Sequence, residues 1–250
     1  MGIIGGSIGY RLLRLFSSEQ RTSSEMRNRG YSESKLETLF GTDIWAQVRG
    51  KTVIDFGCGR GEQLVEMAHQ GARRVIGLEI QPKHLEAARR HAQEAGLAER
   101  CVFTERTQEK ADVIFSLDAF EHFTDPQDIL RQMRGLLKDD GCAFISFGPT
   151  WYHPLGGHLF SVFPWAHLLF TEKALLRWRS DFIHDGATSF GEVSGGLNQM
   201  SIRRFEQIVR DSDFRCVKLE LVPVRNLRLL VNPFTRELFT ALVQCHLIPC

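Results

Sequence analysis

The stretch Val53–Glu62 constrains the fold more than any other part of the chain. A short apolar run ends in an acidic residue, and three glycines follow at alternate positions. An amphipathic segment, residues 63–70, comes directly after them, so the pattern predicts a strand, a tight turn and a helix. Glycines let the backbone turn sharply and approach a ligand closely. A dinucleotide fingerprint requires its third glycine where Glu62 stands, which disfavours a nicotinamide cofactor.

Alternating apolar and amphipathic segments continue beyond this turn. The strand after the first helix ends in Glu79, and Pro82 opens the helix that follows. The segment 112–118 is almost wholly apolar, as is typical of a central parallel strand. We predict strands at 53–55, 74–80, 101–104, 112–118 and 142–147, helices at 63–70, 82–94 and 126–137, and a turn at 138–141.

Further segments flank this central part on both sides. Ahead of it, helices are predicted at 11–16 and 35–48, and the second has an apolar face that should dock on a sheet. Behind it, Thr171 and Ser201 are expected to cap helices. The remaining predictions are helices at 171–179 and 202–210, a glycine-rich loop at 185–196, strands at 214–222 and 242–249, and a basic amphipathic segment at 225–240 that carries Arg225, Arg228 and Arg236.

Composition excludes several classes of protein. A chain of 250 residues can hold one α/β domain with additional structure, and its net charge of +1 gives no general nucleic-acid footprint. No apolar run approaches the ~18 residues of a membrane-spanning helix, and a secretory signal is not expected. The six cysteines include no CxxC pair. We therefore expect reduced thiols in a cytoplasmic protein, and no zinc site.

Written as D-x-G-C-G-x-G, residues 55–61 resemble motif I of the class I S-adenosylmethionine-dependent methyltransferases. The acidic strand end at Glu79 and the segment LLKDDGCAFIS follow in the order and spacing of that family, so the resemblance covers roughly residues 50–148. It implies an α/β, Rossmann-like, seven-stranded twisted sheet of order 3-2-1-4-5-7-6. The last strand would be antiparallel, helices would cover both faces, and a helical lid would be inserted after strand 5.

The same resemblance implies a binding site for S-adenosylmethionine. Asp55 and the glycine turn would hold the amino-acid part of the cofactor, and the Glu79 carboxylate would accept both ribose hydroxyls. Glu105, after the third strand, is the nearest candidate for an adenine contact. The expected cofactor-binding residues are Asp55, Phe56, Gly57, Cys58, Gly59, Gly61, Glu79, Ile80, Glu105, Asp118, Ala119 and Phe120.

Asp118, Glu121 and His122 end the fourth strand, where open α/β sheets bind their ligands. Their spacing resembles that of the ubiquinone-type O-methyltransferases. A neutral imidazole has a suitable proton affinity for a phenol or hydroxyl proton, so His122 and Glu121 are the catalytic candidates. Two alternatives stay open: the group only shapes the entry to a helix, or it holds a divalent metal, although we assign none.

We expect a single domain with an insertion that closes over the acceptor. Trp151, Tyr152, His153 and His158 would contact the acceptor, with Gly156–Gly157 as a flexible point. A helical excursion that thickens the core, or a dimer face, is the alternative for the insertion. The expected parts are an N-terminal helical cover at 1–49, a cofactor-binding core at 50–148, the lid at 149–200, and a C-terminal helix with strands at 201–250.

Taken together, these patterns predict methyl transfer from S-adenosylmethionine to a small-molecule acceptor. The aromatic insertion and the near-zero net charge favour an aromatic or lipophilic acceptor. The resemblance to the ubiquinone-type O-methyltransferases implies that oxygen, rather than nitrogen or carbon, is methylated. One alternative is a protein or nucleic-acid methyltransferase, which would need an open basic face. The other is a cofactor-binding scaffold or regulatory protein without turnover, because binding does not imply catalysis.

Overall fold

The computed structural model describes residues 2–16, 34–193, 195–224 and 231–250. The strands within them are β1 (Thr52–Phe56), β2 (Arg74–Leu78), β3 (Cys101–Thr104), β4 (Ala111–Leu117), β5 (Leu137–Phe147), β6 (Phe214–Pro223) and β7 (Thr240–Pro249). They form one seven-stranded sheet of order β3-β2-β1-β4-β5-β7-β6. β1 to β5 are parallel, and β7 is antiparallel to both of its neighbours. The predicted order and the antiparallel strand are confirmed.

Helices lie on both faces of this sheet and in the insertion after β5. Within the described ranges they are α1 (Gly6–Phe16), α2 (Lys35–Phe40), α3 (Ile44–Val48), α4 (Glu62–His69), α5 (Pro82–Glu94), α6 (Pro126–Leu136), α7 (Ala166–Leu169), α8 (Glu172–Arg179), α9 (Ile202–Arg210) and α10 (Arg236–Phe239). Thr171 and Ser201 accept the Ala174 and Arg204 amides at 3.4 and 3.1 Å, as helix caps do. None of the described helices is both long and apolar enough to cross a membrane.

Alternate residues of the strands fill two hydrophobic cores, one on each face of the sheet. Along β1, Ile54 packs in the core that contains the apolar residues of α6 and α9. Its neighbour Val53 packs in the opposite core, with residues of α2 to α5. Because side chains alternate along a strand, a fully apolar strand supports both layers. Because β1 is parallel to both β2 and β4, the carboxyl ends of these three strands lie at the same edge of the sheet.

A third hydrophobic core joins the insertion to the start of the chain. Leu13 of α1 is buried with Phe160, Phe170 and Trp178. Ile4 continues this contact through the backbone: its amide donates to Leu169 O at 3.0 Å, and its carbonyl accepts from Thr171 N at 2.9 Å. The N-terminal segment expected to form one cover is thus divided, since residues 2–16 pack on the insertion whereas α2 and α3 pack on the sheet.

Some element boundaries differ from the sequence prediction for physical reasons. The predicted helix 35–48 is two helices, because Gly41 ends α2 with φ of 81°, a conformation that favours glycine. The predicted turn at 138–141 belongs to β5, whose first residue Leu137 pairs with Ala111 across a register shift. Arg236 forms a bidentate pair with Glu206 at 2.7 and 2.6 Å. The predictions for Arg225 and Arg228 lie outside the described residues.

Candidate active site

The glycine turn between β1 and α4 adopts a backbone that only glycine accepts readily. Gly57, Gly59 and Gly61 have φ of 76°, 53° and 76°. A Cβ added at Gly57 would lie 2.7 Å from Ala119 Cβ, and one added at Gly61 would lie 2.7 Å from Phe103 Cε1. A Cβ at Gly59 would meet nothing within 4 Å. Gly57 and Gly61 therefore permit close packing, while Gly59 faces open space beside the sheet edge.

Glu79 extends from the end of β2 toward this turn. Its Oε1 accepts the amides of Ile80 and Gln81 at 2.8 and 2.9 Å, and its Oε2 accepts the Gly59 amide at 3.1 Å. The side chain is only 9% exposed. These three backbone donors fix the carboxylate at the place where the sequence predicts the ribose.

Asp55 ends β1 inside the protein. Its Oδ1 is buried and has no hydrogen-bond partner among the described residues. Burial raises the pKa of this carboxyl from its ordinary 3.8 to about 7, although the nearby Lys35 ammonium acts in the opposite direction. A buried carboxylate oxygen without a partner is costly for the free protein, and a bound cationic group would satisfy it.

The sequence interpretation did not include Lys35, the first residue of α2. Its Nζ lies 2.8 Å from Asp118 Oδ2, and its side chain is 13% exposed. Asp118 itself has a positive φ of 51°, unusual for a residue other than glycine. One sequence signal was available, because a lysine in the first turn of a helix opposes the helix dipole and calls for another explanation.

Glu121 lies just beyond β4 and is 3% exposed. Its Oε1 accepts the Gly148 amide at 3.2 Å, while its Oε2 is buried without a partner among the described residues. Burial, and then the neighbouring charge of Asp118, raise the pKa of this carboxyl from 4.5 to about 8. The group is therefore mostly protonated at neutral pH.

His122 lies at the boundary between the sheet edge and the insertion. Its Nδ1 is 2.8 Å from the Gly196 carbonyl oxygen. Its ring meets His158 edge to face, with 5.3 Å between ring centroids. Asn198, which the sequence interpretation missed, links the end of the insertion to the segment after β4. Its backbone amide donates to Glu121 O at 3.0 Å, and its side-chain Nδ2 donates to Phe120 O at 2.9 Å.

The residues predicted to contact the acceptor occupy different surroundings. His158 reaches His122, and Tyr152 is 42% exposed. His153 is buried and accepts the Leu155 amide at 3.0 Å. Burial, with a smaller contribution from His167, lowers the pKa of His153 to about 4. Trp151 packs edge to face on His167. Trp151 and His153 therefore lie in the insertion's own interior, and their contact with an acceptor stays a prediction.

Gly156–Gly157, the flexible point that the sequence suggests, lies in a tightly packed turn of this structure. A Cβ at Gly156 would lie 2.2 Å from Thr150 O, and one at Gly157 would lie 2.3 Å from His167 Cβ. Both glycines are buried. Glycine is needed at both positions because the chain packs tightly there, and the role of the pair as a flexible point stays a prediction.

The remaining predicted cofactor residues lie on or near the same edge. Phe56, Cys58, Ala119 and Phe120 are buried around the turn. Ile80 is 80% exposed, and Glu105 is exposed after β3. Among the described ranges, no group of three or more His, Cys, Asp or Glu side chains is arranged to hold a metal ion.

Comparison with known proteins identifies the family. Residues 25–219 match the family model described as a methyltransferase domain. The chain therefore belongs to the methyltransferase domain family, and its sheet order and glycine turn are those of the class I, S-adenosylmethionine-dependent members.

Two curated relatives resemble part of the chain. The ubiquinone biosynthesis O-methyltransferase of Neisseria meningitidis serogroup C is 37% identical over 111 residues, which are 42% of this chain and 47% of the relative. The protein of the same name from Actinobacillus pleuropneumoniae serotype 5b is 38% identical over 126 residues, which are 46% of this chain and 50% of the relative. The chain thus spans about half the length of the curated relatives it matches.

A solved structure supports the fold. The crystal structure of a putative S-adenosylmethionine-dependent methyltransferase from Listeria monocytogenes superposes with a TM-score of 0.52. It is 14% identical, and the superposition covers 82% of this chain and 93% of that one.

The residues at the sheet edge fit S-adenosylmethionine, the cofactor of this class. Asp55 offers a buried carboxylate oxygen that an ammonium group can satisfy, and Gly59 leaves open space beside it. Glu79 presents a fixed carboxylate on the neighbouring strand, where a ribose diol can be bound. The arrangement follows the general rule that open α/β sheets bind ligands at the carboxyl ends of their strands.

Proposed function

We propose that this chain transfers the methyl group of S-adenosylmethionine to a hydroxyl oxygen of a small, aromatic or lipophilic acceptor. The partial matches to O-methyltransferases of ubiquinone biosynthesis support oxygen as the methylated atom. The exposed aromatic side chain of Tyr152 in the insertion supports an apolar ring as the acceptor's body.

The observation that carries this proposal is the contact between His122 and Gly196. A carbonyl oxygen can only accept a hydrogen bond, so a neutral His122 ring bears its hydrogen on Nδ1, 2.8 Å from Gly196 O. The lone pair is then on Nε2, which makes that atom the basic nitrogen. A histidine whose tautomer is fixed in this way is prepared to take a proton from a hydroxyl group.

The cofactor supplies an electrophilic methyl group on a positively charged sulfur. The chain's own residues bind the cofactor, orient the two reactants and take up the proton. Asp55 and Glu79 hold the cofactor, while His122 removes the acceptor's hydroxyl proton as the new carbon–oxygen bond forms. Glu121, protonated at neutral pH, positions Gly148 at the start of the insertion. Alignment of the two reactants contributes the rest of the rate enhancement.

In this proposal the insertion, residues 149–200, closes one side of the acceptor site. His158 contacts the His122 ring from the insertion, and Gly196 contacts it through the carbonyl oxygen. Together with Tyr152, His158 would line the acceptor, while the core formed with residues 2–16 keeps the insertion rigid. The insertion then acts as a wall whose inner surface selects the acceptor.

The test compares His122→Ala with the wild type in transfer of labelled methyl to catechols and other phenols. General-base catalysis typically contributes ~10²–10⁴-fold, so turnover should fall by that factor. Affinity for S-adenosylhomocysteine should be unchanged, because His122 does not hold the cofactor. His184→Ala, which changes an exposed histidine of the insertion, is the matched control.

Chelation separates this mechanism from a metal-assisted one. A metal-dependent enzyme loses activity in EDTA and regains it with a divalent ion, whereas a histidine base is insensitive to both. Full activity of His122→Ala, in the presence and absence of chelator, would refute the assigned role.

A further inference from the structure

Glu79 has less capacity to accept hydrogen bonds than its predicted role requires. A carboxylate offers about four lone-pair positions. The amides of Ile80, Gln81 and Gly59 already donate to three of them. The ribose of the cofactor carries two hydroxyl groups, so one of them needs a further acceptor unless a backbone bond is lost.

His84 lies where such an acceptor is needed. It is the third residue of α5, which Pro82 starts directly after β2, so the first helical turn returns its side chain toward the strand end. His84 Nδ1 is 3.7 Å from Glu79 Oε2. The Nδ1 atom is buried and has no hydrogen-bond partner among the described residues, although the His84 side chain as a whole is 30% exposed.

The distance between the two groups indicates how they are used. At 3.7 Å the nitrogen and the oxygen are too far apart for a direct hydrogen bond. With its hydrogen on Nε2, the ring presents the Nδ1 lone pair beside Glu79 Oε2, the oxygen that accepts only one of the three amides. Two neighbouring acceptors, one anionic and one neutral, match the two adjacent donors of a ribose diol.

We propose that His84 is a positioning residue for the cofactor and the second acceptor of the ribose diol. One hydroxyl donates to Glu79, and the other donates to His84 Nδ1. This inference rests on the assignment of the sheet edge as the S-adenosylmethionine site. It makes His84 a determinant of ribose specificity, because a cofactor that lacks one hydroxyl leaves its buried nitrogen without a donor.

The test measures binding by calorimetry, using S-adenosylhomocysteine and its 2′-deoxy and 3′-deoxy analogues as probes. His84→Leu removes the acceptor, whereas His84→Asn retains a polar group with an acceptor oxygen at a similar distance from the backbone. His69→Leu, which changes an exposed histidine at the end of α4, is the control. Circular dichroism checks that each variant is folded.

We expect His84→Leu to bind S-adenosylhomocysteine about five- to tenfold more weakly than the wild type, the usual effect of losing one hydrogen bond. It should also bind one of the two deoxy analogues as tightly as the intact compound, whereas the wild type discriminates against both. His84→Asn should restore most of the affinity and the discrimination.

Two results would overturn the inference. Unchanged affinity in His84→Leu, or an equal loss for all three compounds, would make His84 a packing residue only. Failure of the wild type to bind S-adenosylhomocysteine would instead refute the cofactor site itself, so the two failures are distinguishable. If His84→Leu does not fold, His84→Ala, which also lacks the acceptor, is compared with His84→Asn across the three compounds: weaker binding and lost discrimination in His84→Ala alone support the inference, and equal behaviour of the two variants overturns it.

Discussion

The glycine turn at the cofactor edge and the turn at Gly156–Gly157 in the insertion need glycine for different main reasons. At the edge, Gly57, Gly59 and Gly61 all have positive φ, so the backbone conformation itself requires glycine. In the insertion, Gly157 is required because a Cβ would lie 2.3 Å from His167 Cβ. Regular spacing in the sequence reveals the first requirement. The second depends on a neighbour distant in the chain, which spacing does not reveal.

Polar groups show the same contrast. At the cofactor edge, Asp55 Oδ1 and Glu121 Oε2 are buried without partners. In the insertion, His167 Nε2 lies 2.7 Å from Trp151 O, and the buried Arg179 forms a bidentate pair with Asp185 at 2.6 and 2.5 Å. Asn198 Oδ1 of the insertion is also buried without a partner, but the two carboxyl oxygens of this kind among the described residues both belong to the cofactor edge. An unsatisfied buried group calls for an explanation, and a bound ligand that completes it is one. This difference supports the cofactor site proposed at that edge.

Among the variants that test this difference between the two regions, Glu79→Ala should have the largest effect. Losing a charge-assisted acceptor in a cleft should weaken S-adenosylhomocysteine binding by ~2–4 kcal/mol. Calorimetric titration measures this, and Glu86→Ala, an exposed position on α5, is the control. Wild-type affinity in a folded Glu79→Ala protein would remove Glu79 from the site.

Glu121→Gln tests whether an unsatisfied carboxyl is a cost to the free protein. Its folded pKa of about 8 exceeds the ordinary 4.5, so the native state holds a proton that the unfolded chain has released between these values. Stability from this group is therefore complete below pH 4.5 and is lost as pH rises through 8. Glutamine keeps an oxygen for the Gly148 amide but does not titrate.

We therefore expect Glu121→Gln to exceed the wild type in free energy of unfolding by roughly 3–5 kcal/mol at pH 9 and to match it near pH 4. Denaturant unfolding across this range measures the difference. A stability difference that stays constant with pH would contradict the raised pKa.

Gly157→Ala and Gly59→Ala separate the two uses of glycine. Gly157→Ala forces a buried contact and should cost ~1–3 kcal/mol of stability, with cofactor affinity retained. Gly59→Ala meets open space, so only its positive φ is penalised, at about 1 kcal/mol, and its methyl group should reduce cofactor binding. Thermal unfolding measures the loss of stability in each variant, and titration with S-adenosylhomocysteine measures its cofactor affinity. If Gly157→Ala lost cofactor affinity and Gly59→Ala kept it, the roles given to the two glycines would be reversed.

The smallest effect is expected in the insertion itself. Hydrogen exchange across residues 149–170 should slow modestly when S-adenosylhomocysteine and catechol are both added, because the acceptor wall becomes more rigid. Much of the segment is already held in the free protein, for example by Trp151 N donating to Met200 O at 2.7 Å. No change on adding both ligands would indicate that the insertion is simply core.

The sheet was largely predictable because its signals are local. The apolar run before Asp55 and the segment 112–118 identify central strands by composition alone, and the family spacing then gives their order. The division of the predicted helix at Gly41 was harder, because an apolar face continues across the break.

The candidate site was predictable only where residues share one motif. Asp55, Glu79 and His122 follow strands in a recognisable order. Lys35 and Asn198 were missed because their partners, Asp118 and Phe120, are distant in sequence. His84 carries no motif, and its relevance follows from the hydrogen bonds that Glu79 already makes.

A crystal structure with S-adenosylhomocysteine is the most direct test of the cofactor edge. We predict that one ribose hydroxyl lies on Glu79 and the other on His84, and that the methionine part lies along Gly59 toward Asp55, with the sulfur closer to His122 than the adenine is. Binding at any other surface, or a saturated crystal with no ligand at the ends of β1 and β2, would contradict this account.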